Sequence, residues 1–291
     1  MMVHRTAMNI KHIERTQMTS LPYFHVDAFA SKAFTGKAFT GNQAAVMPLS
    51  AWLPDATLQA IAEENKFAET AFIVADETGD TDFELRWFTP QNEVPLCGHA
   101  TLASAHIVLS QDREMDIVTF QTRKAGILSV ERQGSGYSMA LPAYPPSAAE
   151  MPDWISAIGG VPVEHYFYPG RYNVLRYQNA AEILALTPDF KVLAAMGNDD
   201  QYICTAPGDD HISGADVISR VFVPGCGVDE DSVTGSAHAV LTPYWAQKLG
   251  RDSFTAYQAS ARGGHVGCRL DGDKAILSGD CVTVVEGVFS L

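Results

Sequence analysis

The sequence lacks long apolar runs and has few basic residues. No run in its 291 residues approaches the ~18 apolar residues of a membrane-spanning helix. Lys and Arg number 20 against 34 Asp and Glu, which gives a formal net charge of −14. Nucleic acids and anionic membranes are bound through basic patches, so this charge argues against both as partners. With 46% hydrophobic and 19% charged residues, the chain is predicted to be globular and large enough for two domains.

Cysteine is also sparse, and its distribution argues against small metal sites and disulfide frameworks. There is no C-x-x-C pair and no His at metal-ligand spacing. An odd number of scattered cysteines suits free thiols in a reducing compartment, which predicts a cytoplasmic protein. The cysteines are Cys97, Cys204, Cys226, Cys268 and Cys281.

The first 20 residues lack the apolar stretch of a secretory signal. They carry three basic residues against one acidic residue and are mildly amphipathic. We therefore predict a disordered leader over residues 1–20, with a transit peptide as the alternative.

Several sequence motifs of cofactor and nucleophile chemistry are absent. The chain contains no G-x-G-x-x-G after a strand, no G-x-x-x-x-G-K-[ST], no H-E-x-x-H and no G-x-S-x-G. Nothing therefore points to a nucleotide, a flavin, zinc or a serine nucleophile. Proton transfer without a cofactor is the chemistry that remains.

Short runs that alternate apolar and polar residues dominate the chain, which favours an antiparallel or mixed sheet over a repeating β-α-β pattern. Helices are predicted over residues 55–66, with Asp55 as N-cap, and over the more apolar segments 100–109 and 236–249. A Pro-rich linker at 142–147 divides the chain into domains 21–141 and 142–291. Strands are predicted at 23–29, 70–75, 83–88, 117–122, 127–131, 137–141, 173–177, 202–206, 217–223, 254–259, 275–278 and 282–289.

A repeat of one sequence pattern on either side of this linker is the most informative feature of the sequence for the domain organisation. Arg86-Trp-Phe-Thr-Pro90 leads to Cys97-Gly-His-Ala100 and an apolar helix, and Arg220-Val-Phe-Val-Pro224 leads to Thr234-Gly-Ser-Ala237 and another apolar helix. Both units read R-x-F-x-P, a loop, then [CT]-G-[HS]-A, and the second loop is three residues longer. Chance similarity is the alternative, but a duplicated domain around a pseudo-twofold axis is the better explanation.

The paired glycines, Gly98 and Gly235, are predicted to open helices. A glycine there lets a ligand approach the backbone, whose free N–H groups carry the positive end of the helix dipole. Two such ends facing each other would bind an anion, a carboxylate being the natural choice, without Lys or Arg. The alternative is that each glycine only permits close packing of helix on sheet.

Three ionisable residues near these units suit proton chemistry. Glu69 enters an apolar strand, where the surroundings favour the protonated carboxyl of a general acid or base. His99 lies at a helix start, where the dipole disfavours the imidazolium, so a neutral donor or shuttle is expected. Asp231 is the acidic residue nearest the second glycine turn. The alternatives are an exposed strand-start Glu, a structural His and a solvated loop Asp.

Cys97 and Thr234 occupy equivalent positions in the two units. A pair of cysteines there would indicate a two-thiol racemase, but the hydroxyl of Thr234 is too weak an acid to supply the second base. Cys97 is therefore interpreted as a buried packing residue.

The sequence resembles the PhzF-like (phenazine biosynthesis-like) family across residues 21–291. The resemblance implies an α+β protein of two pseudo-symmetric domains, each a mixed β barrel-like sheet around a central helix, as in diaminopimelate epimerase. It also implies completion of the first domain by the C-terminal strand, an active site in the cleft between domains, and frequently a homodimer. The residues that carry it are Val26-Asp-Ala-Phe29, Thr40-Gly-Asn-Gln-Ala-Ala-Val46, Glu69-Thr-Ala-Phe72, the stretch 86–103, Glu230-Asp-Ser-Val-Thr-Gly-Ser-Ala-His238 and Arg262-Gly-Gly264.

The same resemblance implies an isomerase that works without cofactor or metal on a small carboxylate-bearing molecule. A non-catalytic metabolite-binding or interaction scaffold is the alternative, and an amino-acid epimerase using Cys97 is a weaker one. The family's catalytic residues correspond to Glu69, His99 and Asp231, and its substrate-binding residues to Gly98, Gly235, Ser236 and Asn42.

Three departures from the family pattern lie near these positions. Ser232 replaces a proline after the Glu-Asp pair, which is expected to loosen the loop that holds Asp231. Ala68 replaces a serine before Glu69. The sequence Lys32-Ala-Phe-Thr-Gly36 is repeated at once as Lys37-Ala-Phe-Thr-Gly41, an apparent five-residue insertion near the cleft.

Overall fold

The computed structural model describes residues 20–31 and 38–291. The predicted leader up to residue 19 and most of the tandem repeat, residues 32–37, lie outside the described residues. Ser20, the last residue of the predicted leader, is the first residue of a strand. No helix in the described part of the chain has the length and apolar character that a membrane crossing requires.

The described residues form seventeen strands and six α-helices. The helices are α1 (Asp55–Asn65), α2 (Gly98–Gln111), α3 (Ile155–Ile158), α4 (Ala180–Leu184), α5 (Phe190–Ala195) and α6 (Gly235–Leu249). The strands are β1 (Ser20–Ala30), β2 (Asn42–Leu49), β3 (Glu69–Ala75), β4 (Phe83–Phe88), β5 (Glu93–Val94), β6 (Ile117–Thr122), β7 (Ile127–Gln133), β8 (Gly136–Pro142), β9 (Ser147–Ala148), β10 (Glu164–Tyr168), β11 (Tyr172–Arg176), β12 (Gln201–Pro207), β13 (Val217–Val223), β14 (Val228–Asp231), β15 (Ser253–Gln258), β16 (Gly264–Asp271) and β17 (Lys274–Ser290).

Eight strands close into a barrel around α2. The ring runs β1-β2-β3-β4-β6-β7-β8-β17 and returns to β1. Strands β4 and β6 are parallel neighbours, and parallel neighbours need a crossover, which α2 provides. Helix α2 buries residues on every side rather than along one stripe, as expected of a helix enclosed by a sheet.

The second half repeats this arrangement around α6. Strands β10 to β13, β15 and β16 pair in succession and end on β17. Strands β13 and β15 are parallel, and α6 is their crossover. The largest cluster of buried apolar residues contains side chains of both central helices, so the two halves share one core.

Strand β17 joins the two halves. Its first residues lie between β16 and β8, and ten of its last eleven residues pair with β1. The sequence patterns predicted two strands, at 275–278 and 282–289, but the structure has one, because Gly279 and Asp280 keep the ladder intact by pairing with Tyr137 and Ala30.

The duplicated motif has the same structure in both halves. Arg86 on β4 makes a two-bond ion pair with Glu93, with both N···O distances 2.8 Å. Arg220 on β13 makes the same pair with Glu230, at 2.8 and 2.9 Å. Each guanidinium also lies about 5 Å over the phenylalanine two residues on. The pseudo-symmetry predicted from the repeat is confirmed in these paired contacts.

Helix α6 contains Pro243 in its interior. Proline has no N–H, so the carbonyl of Ala239, four residues earlier, receives no bond from it. The N–H of Tyr144 in the predicted linker donates to that carbonyl at 3.1 Å. The linker is therefore fastened to the central helix.

Most predicted strands and all three predicted helices lie where the sequence pattern placed them, within two residues at either end. Asp55 as an N-cap is wrong, because the cap is Pro54 and the Asp55 carboxylate instead lies 2.9 Å from Arg86. Strands β2, β5, β9, β10, β14 and β16 and helices α3 to α5 were missed. All except β2 and β16 have six residues or fewer. Strand β2 lacks the apolar–polar alternation on which the predictions rest, and β16 begins with Gly264 and contains Gly267, a residue type that is depleted in strands.

Candidate active site

The two central helices meet end to end at their N-termini. A Cβ added to Gly98 would lie 3.4 Å from the Cα of Gly235, and the converse distance is also 3.4 Å. The described residues supply no side-chain cap to either helix. Two sets of first-turn N–H groups, each at the positive end of a dipole, therefore converge on one point. This is the arrangement that the anion-site prediction requires.

Glu69 and His99 form the closest pair of ionisable groups at this junction. Glu69 is the first residue of β3 and His99 the second residue of α2. Glu69 Oε2 lies 3.0 Å from His99 Nε2, and its side chain remains 17% exposed. Among the described residues, no donor is aligned for a hydrogen bond to Oε2. The carboxylate is thus beside a proton carrier and has an oxygen available for another proton.

Asn42 joins this pair to the second half of the chain. Its amide Nδ2 lies 2.8 Å from Asp231 Oδ1, 2.9 Å from the carbonyl of Val233 and 3.1 Å from His99 Nδ1. The amide has two hydrogens for these three acceptors. Because two of the acceptors are oxygens, which cannot donate, the amide nitrogen and not the amide oxygen must face them. Asn42 was predicted to bind substrate; in the structure its amide nitrogen is committed to protein groups, and it holds His99 and Asp231 together.

The surroundings of His99 act on its protonation in opposite directions. Burial lowers the pKa of its imidazole, but the interactions with Cys97 and Glu69 outweigh burial and raise the pKa well above its usual value. The Asn42 amide opposes the cation, because a proton on Nδ1 would face another N–H. The helix dipole alone favours the neutral ring that the sequence predicts. In the structure the ring lies between groups that favour the imidazolium and a group that favours the neutral imidazole, which suits a proton relay.

Asp231 is held on the far side of Asn42. Burial raises the pKa of its carboxyl group, although His99 opposes that shift. The hydroxyl of Thr234 donates to Oδ2 at 2.6 Å.

Gln258, which the sequence reasoning missed, donates to the carbonyl of Asp231 and accepts from the N–H of Thr234, both at 2.8 Å. The loop expected to be loosened by Ser232 is also tied down, because Ser260 donates to the Ser232 carbonyl at 2.8 Å.

Ser236 lies in the first turn of α6 and contacts Gln201 rather than the acidic residues. The hydroxyl and the Gln201 side chain are 3.3 to 3.4 Å apart. Ser236 thus lies at the helix junction on the side of β12, the strand that begins with Gln201.

Cys97 lies directly beside the relay and is buried, as predicted. Its Sγ is 3.6 Å from His99 Nδ1, and Glu69, Cys97 and His99 have potential metal-ligand atoms within 4.8 Å of one another. A metal would bind the thiolate. Burial, followed by the Glu69 charge, raises the pKa of Cys97 to about 11, so the thiol is the stable form at neutral pH. The same shift disfavours an epimerase that uses Cys97 as its base.

An ion pair between Arg262 and the buried Asp27 clasps the turn that leads to Asn42 at the start of β2. Asp27, with a fully buried side chain, lies 2.7 Å from Arg262 Nη2, and its other oxygen accepts from the N–H of Phe39 at 2.7 Å. Arg262 Nε donates to the carbonyl of Gly41 at 2.9 Å. Gly41 has φ of 75°, and a side chain there would clash with the Ala28 carbonyl. This clasp fixes the residue before Asn42 by a contact between the two ends of the chain.

His238, one turn into α6, is a buried imidazole that also went unrecognised as an ionisable group. Nδ1 lies 2.7 Å from the carbonyl of Thr234, and Nε2 has no partner among the described residues. Burial lowers its pKa to about 4 from the usual 6.5. Between pH 6.5 and about pH 4, His238 is therefore protonated in the unfolded chain but neutral in the folded chain. The folded state loses stability as the pH falls through this range.

We expect the free energy of unfolding to fall by about 2 kcal/mol between pH 6.5 and pH 5 on account of His238, at about 1.36 kcal/mol per unit. In urea denaturation, His238→Leu should lose that part of the decrease. His106, whose pKa burial also lowers to about 4, and His25, whose pKa burial lowers as well, contribute to the remainder. The exposed His211 offers a control, since His211→Leu should retain the full decrease. An unchanged pH dependence in His238→Leu would contradict the assignment.

A cavity of about 460 Å³ lies away from this site. It opens on the strands β8, β15, β16 and β17 and is bordered by Thr255, His265, Ser278 and Asp280. Glu69, His99 and Asp231 are not among its described lining residues. We therefore place the site at the helix junction, where the ionisable groups converge.

The barrel around a central helix, repeated about a pseudo-twofold axis, defines the class of protein. Residues 31–287 match the family of phenazine biosynthesis-like proteins (PhzC-PhzF), and the chain belongs to this family. The predicted fold class is confirmed. A hydroxyproline epimerase of Agrobacterium vitis shares the fold with a TM-score of 0.56 at 13% identity, covering 94% of this chain and 93% of that one.

Individual relatives are similar over nearly their whole length. An uncharacterised isomerase of Pseudomonas aeruginosa is 42% identical over 272 residues, covering 93% of this chain and 99% of that protein. The human phenazine biosynthesis-like domain-containing protein is 37% identical over 290 residues, with 93% and 99% covered. The crystal structure of a PhzF family protein from Enterococcus faecalis superimposes with a TM-score of 0.84 at 37% identity, covering 94% of this chain and 100% of that chain.

Proposed function

We propose that this protein is an isomerase that moves a proton within a small carboxylate-bearing metabolite without a cofactor. The observation that carries the proposal is the position of Glu69 Oε2, 3.0 Å from His99 Nε2, at the meeting point of two uncapped helix N-termini. The isomerase names of the bacterial relatives support the reaction class.

In the proposed reaction, the carboxylate of the substrate lies against the N–H groups that begin at Gly98 and Gly235. Glu69 removes a proton from a C–H group next to an electron-withdrawing group, and the electron pair left on carbon is delocalised. Glu69 returns the proton at another carbon, so that one C–H bond breaks, one forms and the formula is unchanged. His99 and Asp231 orient the carboxyl group and relay its proton.

The scattered cysteines suggest a cytoplasmic location and the resemblance suggests a homodimer; both stay predictions. Binding of an anion by a chain of charge −14 is reasonable here, because backbone dipoles rather than basic side chains supply the local positive potential.

Deuterium incorporation tests the proposal. Small cyclic and amino carboxylates are first screened by thermal shift, since a ligand at 100 times its Kd stabilises the folded protein by about 2.7 kcal/mol. Those that bind are incubated with the protein in D₂O, and the carbon-bound deuterium is measured by NMR and mass spectrometry. We expect a bound acid to gain deuterium as it isomerises. Binding without incorporation across the panel would instead identify a metabolite-binding scaffold.

A further inference from the structure

Thr234 occupies the N-cap position of α6, but its hydroxyl does not cap the helix. A threonine at this position usually accepts a hydrogen bond from an N–H of the first turn, yet in the described part of the chain it makes no such bond. The hydroxyl instead lies 2.6 Å from Asp231 Oδ2 and 3.2 Å from Gln258 Nε2. Thr234 therefore leaves the first-turn N–H groups to an anion, and its hydroxyl serves the neighbouring carboxyl group.

The side chain of Gln258 fixes the direction of the hydrogen bonds around that hydroxyl. Its Oε1 accepts from the N–H of Thr234, so its amide nitrogen faces the carbonyl of Asp231 and the Thr234 hydroxyl. Because an amide nitrogen can only donate, the hydroxyl accepts from Gln258, and its single hydrogen is left for Asp231 Oδ2. The 2.6 Å between the two oxygens is the usual length of an O–H···O⁻ bond to an ionised acceptor.

Both oxygens of Asp231 thus accept hydrogen bonds. Oδ1 accepts from Asn42 Nδ2 at 2.8 Å and Oδ2 from Thr234. Such bonds favour the ionised form and act against burial, which raises the pKa of the Asp231 carboxyl group. The equivalent residue in the first half is Cys97, and a thiol is a much weaker donor than a hydroxyl. The pseudo-symmetric position therefore has a different task in the second half.

Other titratable groups lie close to Asp231. Besides burial, two charges from the first half act on its carboxyl group: His99 lowers the pKa and Glu69 raises it. Cys226, in the turn before β14, and His238, one turn into α6, are both neutral at pH 7, because burial raises the pKa of the thiol and lowers that of the imidazole. All four groups are retained when Thr234 is substituted, so a changed titration of Asp231 reports the lost donor.

We propose that Thr234 is a positioning residue that keeps Asp231 ionised, so that Asp231 acts as a fixed negative charge beside the proton-carrying pair of Glu69 and His99. This inference rests on the proposed function for the path of the proton. A fixed negative charge stabilises the imidazolium that forms when His99 takes the proton from Glu69. The part of Asp231 in the relay is then electrostatic, and none of its own bonds is made or broken.

Carbon-13 NMR of the carboxyl groups measures the ionisation of Asp231 in the full-length protein without a substrate. Its signal is assigned as the one that Asp231→Asn lacks. In Thr234→Val, which keeps the shape of the side chain but not the hydroxyl, the titration midpoint should move to higher pH. We expect the ratio of carboxylate to carboxylic acid at a given pH to fall roughly 10- to 100-fold, the effect of losing one hydrogen bond to a charged group. Thr234→Cys, which introduces the residue of the equivalent position, should move the midpoint in the same direction.

Two further variants keep the test specific. Thr234→Ser retains the hydroxyl and should retain the wild-type midpoint. Thr242→Val removes another buried hydroxyl of α6, which donates to the carbonyl of His238 at 2.6 Å, and should retain it as well. A wild-type midpoint in both Thr234→Val and Thr234→Cys would overturn the proposal, and so would an equal shift in Thr234→Ser or in Thr242→Val.

The titration is independent of catalysis, because it needs no substrate. A protein that shows the expected shift but exchanges no deuterium would refute the proposed function and leave the effect of Thr234 on Asp231 intact. Where exchange is observed, Thr234→Val should lose activity at a higher pH than the wild type as the pH falls, because Asp231 is then protonated earlier.

Discussion

Glu69→Gln is expected to slow deuterium incorporation into the substrate by about 10²- to 10⁴-fold, the usual effect of removing one proton-transfer group. The amide keeps the size of the side chain and its position beside His99, but it cannot accept the substrate proton. Ligand binding should persist or strengthen, because the substitution removes a negative charge from the neighbourhood of an anion site. Exchange rates by NMR and Kd values by titration measure the two effects separately.

A matched charge removal away from the site provides the control for Glu69→Gln. Glu63 on α1 is 66% exposed, so Glu63→Gln should leave both exchange and affinity within about twofold of the wild type. If Glu69→Gln exchanges deuterium at the wild-type rate, Glu69 is not the proton shuttle. If exchange and binding are lost together, the substitution has disrupted the site.

Arg262→Leu is expected to lower the free energy of unfolding by about 3–5 kcal/mol. The variant leaves the carboxylate of Asp27, which is fully buried, without its guanidinium partner. It also removes the donor to the carbonyl of Gly41, so the position of Asn42 and the exchange rate should suffer as well. Urea denaturation with an unchanged m-value measures the stability loss.

The exposed pair of Arg269 and Asp271, 2.8 Å apart, is the comparison for the ion pair of Arg262 and Asp27. Arg269→Leu should cost about 0–1 kcal/mol, because solvent screens the pair. Adding Asp27→Asn to Arg262→Leu should recover part of the loss, since the buried charge is then gone. A loss below about 1 kcal/mol in Arg262→Leu would show that the clasp contributes little to stability.

The sequence was most informative where local spacing sets the structure. The strand–loop–helix repeat predicted two glycine-led helices, and Gly98 and Gly235 are the first residues of α2 and α6. The residues Glu69, His99 and Asp231, selected from their types and the family resemblance, gather within one network through Asn42. Their proposed roles stay predictions until exchange is measured.

The sequence was least informative where a contact joins distant segments. Gln258 supports Asp231 from 27 residues away, and the rings of Tyr144, Tyr168 and Tyr172 come together from the linker and a hairpin that the strand pattern only partly predicted. No periodicity encodes such contacts, because each depends on which strands become neighbours.

By itself, the sequence determined the mixed sheet, the pseudo-symmetric repeat and the helix starts through local pattern, and the fold class and the set of ionisable residues with the help of the family resemblance. Only the tertiary structure decided the electrostatic state of the site. Glu69 comes from the edge of the first barrel, His99 from its central helix and Asp231 from the second half, and Asn42 is held in place by an ion pair 235 residues apart in sequence. The pKa shifts of His99 and Asp231 arise from burial and from charges brought close by folding, and neither exists in the unfolded chain.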